Sequence, residues 1–266
     1  MELKKTEIQD FVQFSEKLAR GAGKILKQGF NRSLIINYKG RINPVTEYDL
    51  KSERYITSQI VKRFPDHAIL AEEGSDVEEQ SPYRWVIDPL DGTVNYAHGF
   101  PVYCVSIAVE YEGDTIAGVV YDPDRDELFS AGKGMGTWLN KKKVHVSSEK
   151  TLRKALLATG FAYNISTAKR NNLGLFARMA KRAQGVRRPG SAAIDLCWLA
   201  CGRLDGFWEF YLHPWDTAAA KLIVEEAGGK VSRINGKAYS IFSRDILASN
   251  GHLHKTMISV LTGKSI

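Results

Sequence analysis

Trp85-Val86-Ile87-Asp88-Pro89-Leu90-Asp91-Gly92-Thr93 is the stretch on which the reading of this chain turns. Trp85 to Ile87 is a short apolar run that reads as a buried strand, and it stops at two acids, a proline, a glycine and a threonine. Pro89 limits the backbone of Asp88 to extended conformations and Gly92 permits a sharp turn, so the two carboxylates can be aimed at one point. Two anions held that close need a cation. Oxygen ligands at this spacing suit Mg²⁺, Mn²⁺ or Ca²⁺ rather than zinc. A helix expected over 93–97 would turn its free N–H groups toward the same point, where they could hold a phosphate oxygen. An isolated pair of acids at this spacing is more often an ordinary capped turn, so the rest of the chain has to support the metal reading.

The 266 residues are 44% hydrophobic and 25% charged, which describes a globular protein with a real core, large enough for two packed units. No window approaches ~18 unbroken apolar residues and the first nine residues are polar, so no membrane span is expected and the expected location is the cytoplasm. Cys104, Cys197 and Cys201 stand in apolar surroundings without zinc or disulfide spacing and read as small buried hydrophobes. The net charge of +7 comes from Lys and Arg scattered over the chain; it could attract nucleic acid and would equally favour anionic phosphorylated substrates, which are the expected partner.

Ile8, Phe11, Val12, Leu18, Ala22, Leu26 and Phe30 recur at three- and four-residue steps and predict a long amphipathic helix, with Thr6 and Gln9 offering a capping box. A strand is expected over 34–38, followed by a polar loop from Lys39 to Pro44. Thr46-Glu47-Tyr48-Asp49 then caps a helix that Pro65 stops, with Asp49 in its first turn. A short strand over 67–71 runs into Glu72-Glu73, repeating the arrangement at Asp88, and Glu72 is expected to point into the site while Glu73 faces elsewhere. Residues 102–110, 115–122 and 127–131 read as antiparallel strands. Gly132-Lys133-Gly134-Met135-Gly136 lacks the lysine–threonine pair of a phosphate loop and reads as a hairpin turn.

Beyond about residue 147 strands and helices alternate: 155–159 extended, 173–183 and 192–201 helical, 204–209 extended. A boundary over 144–150 divides an N-terminal α+β half, 1–146, carrying most of the acids, from a C-terminal α/β half, 147–266. The expected fold is α+β, a layered α-β-α-β-α sandwich of two packed halves, with an antiparallel sheet in the first and a mixed sheet in the second. A strand-like run from Glu209 leads to a third acid, Asp216, which opens a helix over 217–227 closed by Gly228-Gly229. Asp216 at a helix start suits a cap, and it could also share a second ion with Asp88 and Asp91 where the halves meet. Glu225-Glu226 reads as helix surface, Asn235-Gly236 as a hairpin turn and His213 as a loop residue rather than a ligand.

Together these pieces resemble the inositol monophosphatase family of Mg²⁺-dependent, lithium-sensitive phosphatases. Trp85 to Asn95 reads as the family's first signature, and Trp215-Asp216-Thr217-Ala218-Ala219-Ala220 with residues 222–229 as its second. Glu72-Glu73, Val45 to Asp49 and Gly190 to Ala193 fall in the expected order. The resemblance implies that Glu72, Asp88 and the main-chain oxygen of Leu90 hold one Mg²⁺, and that Asp88, Asp91 and Asp216 hold another. It implies catalytic roles for Asp49, Glu72 and Thr93. It also implies a substrate site made by Leu90, Asp91, Gly92, Thr93, Gly190, Ser191, Ala192, Glu209 and Asp216, with Glu209 accepting from substrate hydroxyls. Two or three Mg²⁺ are implied, with Mn²⁺ as a substitute and Ca²⁺ or Li⁺ as ions able to occupy the site and inhibit, and so is a homodimer. Lys39 falls near a basic residue of the family's mobile loop. Ala220 replaces a glycine common in the family and Pro189 precedes Gly190; neither removes a ligand.

The implied activity is a phosphomonoesterase that hydrolyses inositol monophosphate or a similar small polyol or sugar phosphate by metal-assisted attack of water, without a phosphoenzyme. The alternatives are a fructose 1,6-bisphosphatase or a phosphatase for 3′-phosphoadenosine 5′-phosphate or NADP, for which Arg187-Arg188 would contact a second phosphate. From another class, the chain would be a protein that binds RNA or a transcription complex.

Overall fold

Leu18, Ala19, Ala22 and Leu26 are fully buried along one stripe of a 25-residue helix, α1 (Lys5–Gly29), as the three- and four-residue spacing requires. The computed structural model describes residues 3–32, 35–39, 43–77, 80–163, 165–168 and 170–263. The capping box expected at Thr6 and Gln9 does not form. The helix starts at Lys5 after an extended Lys4 that makes no side-chain cap, so Thr6 already lies inside the first turn.

A strand pair follows, β1 (Ile36–Lys39) antiparallel to β2 (Asn43–Thr46), where the sequence suggested one strand and a polar loop; Leu34 and residues 40–42 lie outside the described residues. Thr46 and Asp49 do form a capping box at the start of α2 (Glu47–Arg63). Then come β3 (Ala68–Ala71), β4 (Tyr83–Asp91), α3 (Thr93–Ala97), β5 (Cys104–Tyr111), β6 (Asp114–Asp122), β7 (Glu127–Gly132), β8 (Gly136–Leu139) and β9 (Lys142–Val144). These strands make a seven-stranded sheet in the order β3 to β9, antiparallel except for the parallel pair β3–β4.

The remaining chain supplies β10 (Leu156–Thr159), α4 (Leu173–Ala180), β11 (Gly185–Arg187), α5 (Ala192–Ala200), β12 (Gly206–Phe210), α6 (Pro214–Glu226), β13 (Lys230–Ser232), β14 (Asp245–Ser249) and α7 (His254–Thr262). Its five-stranded sheet runs β11-β10-β12-β14-β13 and is mixed, parallel across β11-β10-β12 and antiparallel across β12-β14-β13.

Three apolar clusters define the layers. α1 and α2 pack on one face of the seven-stranded sheet through Ile56, Ile60, Trp85, Ile87 and Ile107. α5 and α6 fill the space between the sheets, where Ala193, Leu196, Ala219 and Ile223 meet Val86, Ala108 and Val120 on one side and Phe207 and Ala248 on the other. α4 and α7 cover the outer face of the second sheet through Met179, Met257 and Leu261. The fold is therefore the α-β-α-β-α sandwich. The interior is close enough that a Cβ on Gly118 of β6 would lie 2.6 Å from the carbonyl oxygen of Ala219 on α6.

Other local readings shift. The run from Glu209 to Asp216 is not a continuous strand: β12 ends at Phe210, Tyr211 takes a left-handed φ of 63°, and α6 begins at Pro214, three residues earlier than expected. Glu226 is not idle surface, because its two carboxylate oxygens accept the N–H groups of Gly134 and Gly136 and so hold the β7–β8 turn. Asn235-Gly236 does make a turn, but the strand that pairs with β13 is the distant β14. Among the described residues no helix is long and apolar enough to cross a membrane. Cys104, Cys197 and Cys201 are free thiols, the first two buried.

Candidate active site

The register of β4 against β5 breaks between Asp88, opposite Ser106, and Asp91, opposite Cys104, so β4 carries one extra residue there. Such a bulge re-aims side chains, and Pro89, with no N–H to lose, sits within it. The strand thus continues through both acids instead of ending before them. Leu90 N–H donates to Asp88 Oδ1 at 3.0 Å and Ser52 Oγ of α2 donates to the Pro89 carbonyl at 2.9 Å, which pins the bulge from both sides. Gly92 follows with φ at 94°, and a Cβ there would meet the Val102 carbonyl oxygen at 2.8 Å, so the turn into α3 requires glycine.

Thr93 lies at that turn. Its Oγ1 stands 3.1 Å from Asp49 Oδ1 and 3.0 Å from the Leu90 carbonyl oxygen, both acceptors for its one proton. Asp49 is buried behind it, and its other oxygen accepts from the N–H and hydroxyl of Thr46. Burial pushes the Asp49 carboxyl up to about 6 against those hydrogen bonds.

At the end of neighbouring β3, Glu53 of α2 accepts the N–H groups of Glu73 and Ser75 and fixes the acidic turn. Glu72 faces the cavity, whereas Glu73 is not among the residues that line it, and its charge bears on Asp49. Asp216 reaches the cavity from the first turn of α6, where its Oδ2 accepts the His213 N–H at 2.7 Å; it is therefore a helix cap and a cavity acid together. Asp91 Oδ2 accepts from Ser191 Oγ at 2.6 Å and from Ala193 N–H at 2.8 Å, both at the start of α5.

These groups converge on a cavity of about 510 Å³ lined by Glu72, Asp88, Leu90, Asp91, Gly92, Thr93, Gly190, Ser191, Ala192, Glu209 and Asp216. Every residue expected in the site is there except Asp49, which touches it through Thr93. Lys39 is described only in its backbone, so its expected loop role lies outside the described side chains. Arg188 also lines the cavity and Arg187 does not.

The electrostatics are lopsided. Burial, then the charges of Glu72, Asp91 and Asp216, push Asp88 well above the usual carboxylate range, and burial with Asp91 and Glu72 does the same to Asp216. Asp91 is pushed up to about 6, chiefly by burial. Some buried carboxylates elsewhere carry guanidinium partners, as Glu110 does with Arg84 and Asp122 with Arg125. Among the described residues no Lys or Arg ion pair reaches Asp88, Asp91 or Asp216. Among those residues, too, no three acidic, His or Cys side chains are already drawn together as a finished metal cage. The all-oxygen donor set and its uncompensated negative charge fit hard divalent cations.

Sequence reasoning missed the far wall: Gly160, Phe161, Ala162, Tyr163, Asp195, Leu212 and Trp215. Asp195 carried a signal, being the one acid in an otherwise apolar helix. Gly160 carried none, although a Cβ there would lie 2.1 Å from Glu209 Oε1.

Residues 7–264 match the model of the inositol monophosphatase family. The chain is 43% identical over 258 residues to an inositol-1-monophosphatase of Synechocystis, covering 96% of this chain and 90% of that protein. It is 40% identical to the Nus factor SuhB of Pseudomonas aeruginosa, covering 96% of each. The structure of inositol monophosphatase from Anabaena (Nostoc) superposes with a TM-score of 0.89 at 40% identity, covering 97% of this chain and 98% of that one. The chain belongs to the inositol monophosphatase family, and it is a phosphatase.

Proposed function

We propose that this phosphatase hydrolyses inositol monophosphate or a similar small polyol phosphate with Mg²⁺. The observation that carries the reading is the group of carboxylates Glu72, Asp88, Asp91 and Asp216, facing one cavity and raising one another's proton affinity. Glu72, Asp88, Asp91, Asp216 and the Leu90 carbonyl oxygen would hold the ions. Bound there, Mg²⁺ would supply positive charge to the phosphate ester and make water a stronger acid. Thr93 Oγ1 can then accept a proton from the attacking water while passing its own to Asp49 Oδ1, 3.1 Å away. Asp49, with its pKa near 6, can take that proton, and the Thr46 bonds to its other oxygen keep it in place. Gly92 and Thr93 line the cavity, where their main-chain N–H groups would contact the phosphate. Glu209 lies on the wall where the alcohol leaves, beside Ala192 and Gly190.

Phosphate release with Mg²⁺ from inositol 1-phosphate, fructose 1,6-bisphosphate, 3′-phosphoadenosine 5′-phosphate and NADP tests the substrate class. Preference for inositol 1-phosphate supports the reading, and preference for any of the others overturns it. A second reading follows from the relative named Nus factor SuhB, under which the chain also engages RNA or a transcription complex. Salt-dependent RNA binding that survives Asp88→Asn would support it.

A further inference from the structure

The stretch from Gly160 to Tyr163 lines the cavity, and buried groups pin it in place. Asn172, 3% exposed, donates from Nδ2 to Thr159 Oγ1 at 2.6 Å and to the Gly160 carbonyl oxygen at 2.7 Å, while its own Oδ1 accepts the Trp208 indole N–H at 2.7 Å. The Phe161 ring packs on Phe176 of α4, with centroids 5.9 Å apart. The Ala162 carbonyl oxygen then accepts the Ile165 N–H at 3.0 Å, which closes a turn with Tyr163 at its first corner. The phenol is thus presented to the cavity from an anchored turn.

Tyr163 is 46% exposed, so a molecule entering the cavity can reach it. Among the described residues its hydroxyl makes no hydrogen bond. The other hydroxyls nearest the acids are engaged: Ser191 donates to Asp91, and Thr93 lies between oxygens of Asp49 and Leu90. Partial burial, and then the charges of Asp91, Glu72, Asp216 and Asp88, hold the Tyr163 phenol well above its ordinary range. It therefore keeps its proton and remains a donor at any working pH. The charges that act on it most are those of the four acids assigned to the ions, and not that of Glu209 on the alcohol side.

A phosphate ester seated on cations at those acids still carries oxygens that no cation covers, and a neutral donor facing them makes a charge-assisted hydrogen bond. We propose that Tyr163 is a further catalytic residue: its hydroxyl donates to an uncovered oxygen of the bound phosphoryl group, and to the same oxygen of the phosphate product. The inference rests on the reading that the carboxylates hold ions for a phosphate ester, and it deepens that reading by adding a side chain on the phosphate side of the cavity. Because every substrate brings the same phosphoryl group, the contact serves all of them alike.

The test compares the full chain with Tyr163→Phe, which removes the donor and keeps the ring. Turnover with Mg²⁺ is measured on inositol 1-phosphate and on 4-nitrophenyl phosphate, whose leaving group has no hydroxyl to offer, together with inhibition by inorganic phosphate. The variant should lose about tenfold in kcat/KM on both substrates, and inorganic phosphate should inhibit it more weakly by a similar factor. Its unfolding temperature and the Mg²⁺ concentration for half-maximal turnover should match wild type. No loss on either substrate, a loss confined to inositol 1-phosphate, or losses on both with phosphate inhibition unchanged would each overturn the proposal. The last is the outcome expected if Tyr163 merely steadied its turn. Wild-type turnover that needs no divalent ion would instead overturn the reading beneath it.

Discussion

Ser191 Oγ donates to Asp91 Oδ2 at 2.6 Å and accepts the Ile194 N–H at 3.3 Å, so one hydroxyl caps α5 and ties the helix to an acid at the end of β4. Asp91 and Ser191 are a hundred residues apart in sequence, and the bond spans the cavity wall on which the carboxylates meet. Ser191→Ala removes both bonds. Loss of the cap should cost about 0.5–2 kcal/mol of stability. Turnover should fall further than stability alone explains, because Asp91 would keep only the Ala193 N–H and the weak Cys104 thiol bond on that oxygen. Thermal unfolding and the Mg²⁺ dependence of kcat measure the two effects separately.

Thr93 and Asp49 make a separable pair. Thr93→Ala should lower kcat far more than it raises KM, by about a hundredfold if the hydroxyl relays the proton. Thr93→Ser, which restores Oγ, should recover most of the loss. A change confined to KM would assign Thr93 to binding alone.

Gly160 should control the alcohol side without touching stability. The Cβ of Gly160→Ala would strike the Glu209 carboxylate, the free end of a flexible side chain, which can swing aside at small cost. Unfolding temperature should stay close to wild type while kcat/KM on inositol 1-phosphate drops by about tenfold or more and that on 4-nitrophenyl phosphate holds.

Stability should fall as pH rises from 7 to 8 in metal-free protein. Burial, then the charge of Asp91, pushes Glu209 up to about 8 from an unfolded value of 4.5, against the pull of Arg188, and Asp195 shifts the same way. Between those values the folded chain binds a proton that the unfolded chain has lost. The stabilisation is therefore complete below 4.5 and disappears as pH climbs through 8, at up to about 1.4 kcal/mol per pH unit for each such group. His254 works in the opposite sense at lower pH: burial holds it at about 4, so it destabilises the fold as pH drops from 6.5 toward 4 and contributes little above 7. Chemical denaturation at pH 7 and 8 should show the decline, and Glu209→Gln should make it shallower while Asp88, Asp195 and Asp216 continue to contribute.

Much of this site was legible because acids at strand ends and helix starts stand out against apolar neighbours: Glu72 after Ala71, Asp88 after Ile87, Asp49 three residues past Thr46. The layers followed from pattern, since α1 carries apolar residues at helical spacing, α5 is an apolar run broken only by Asp195, and β5 to β7 are separated by turns. Local pattern did not reveal the bulge that carries β4 through Asp88 and Pro89, because a bulge is a register relation with β5. It also concealed β11, whose three residues are ordered by parallel pairing with β10, and Gly160, whose importance lies in its contact with a side chain from β12.

The central claim is that carboxylates from β3, β4 and α6 jointly hold divalent ions for phosphate ester hydrolysis. Calorimetric titration of Mg²⁺ into wild-type and Asp88→Asn protein, paired with phosphate release from inositol 1-phosphate, tests it most directly. The account predicts saturable binding and turnover in the wild type, with at least about a hundredfold loss of both in a variant that remains folded. Turnover that persists in Asp88→Asn at unchanged Mg²⁺ affinity would contradict it.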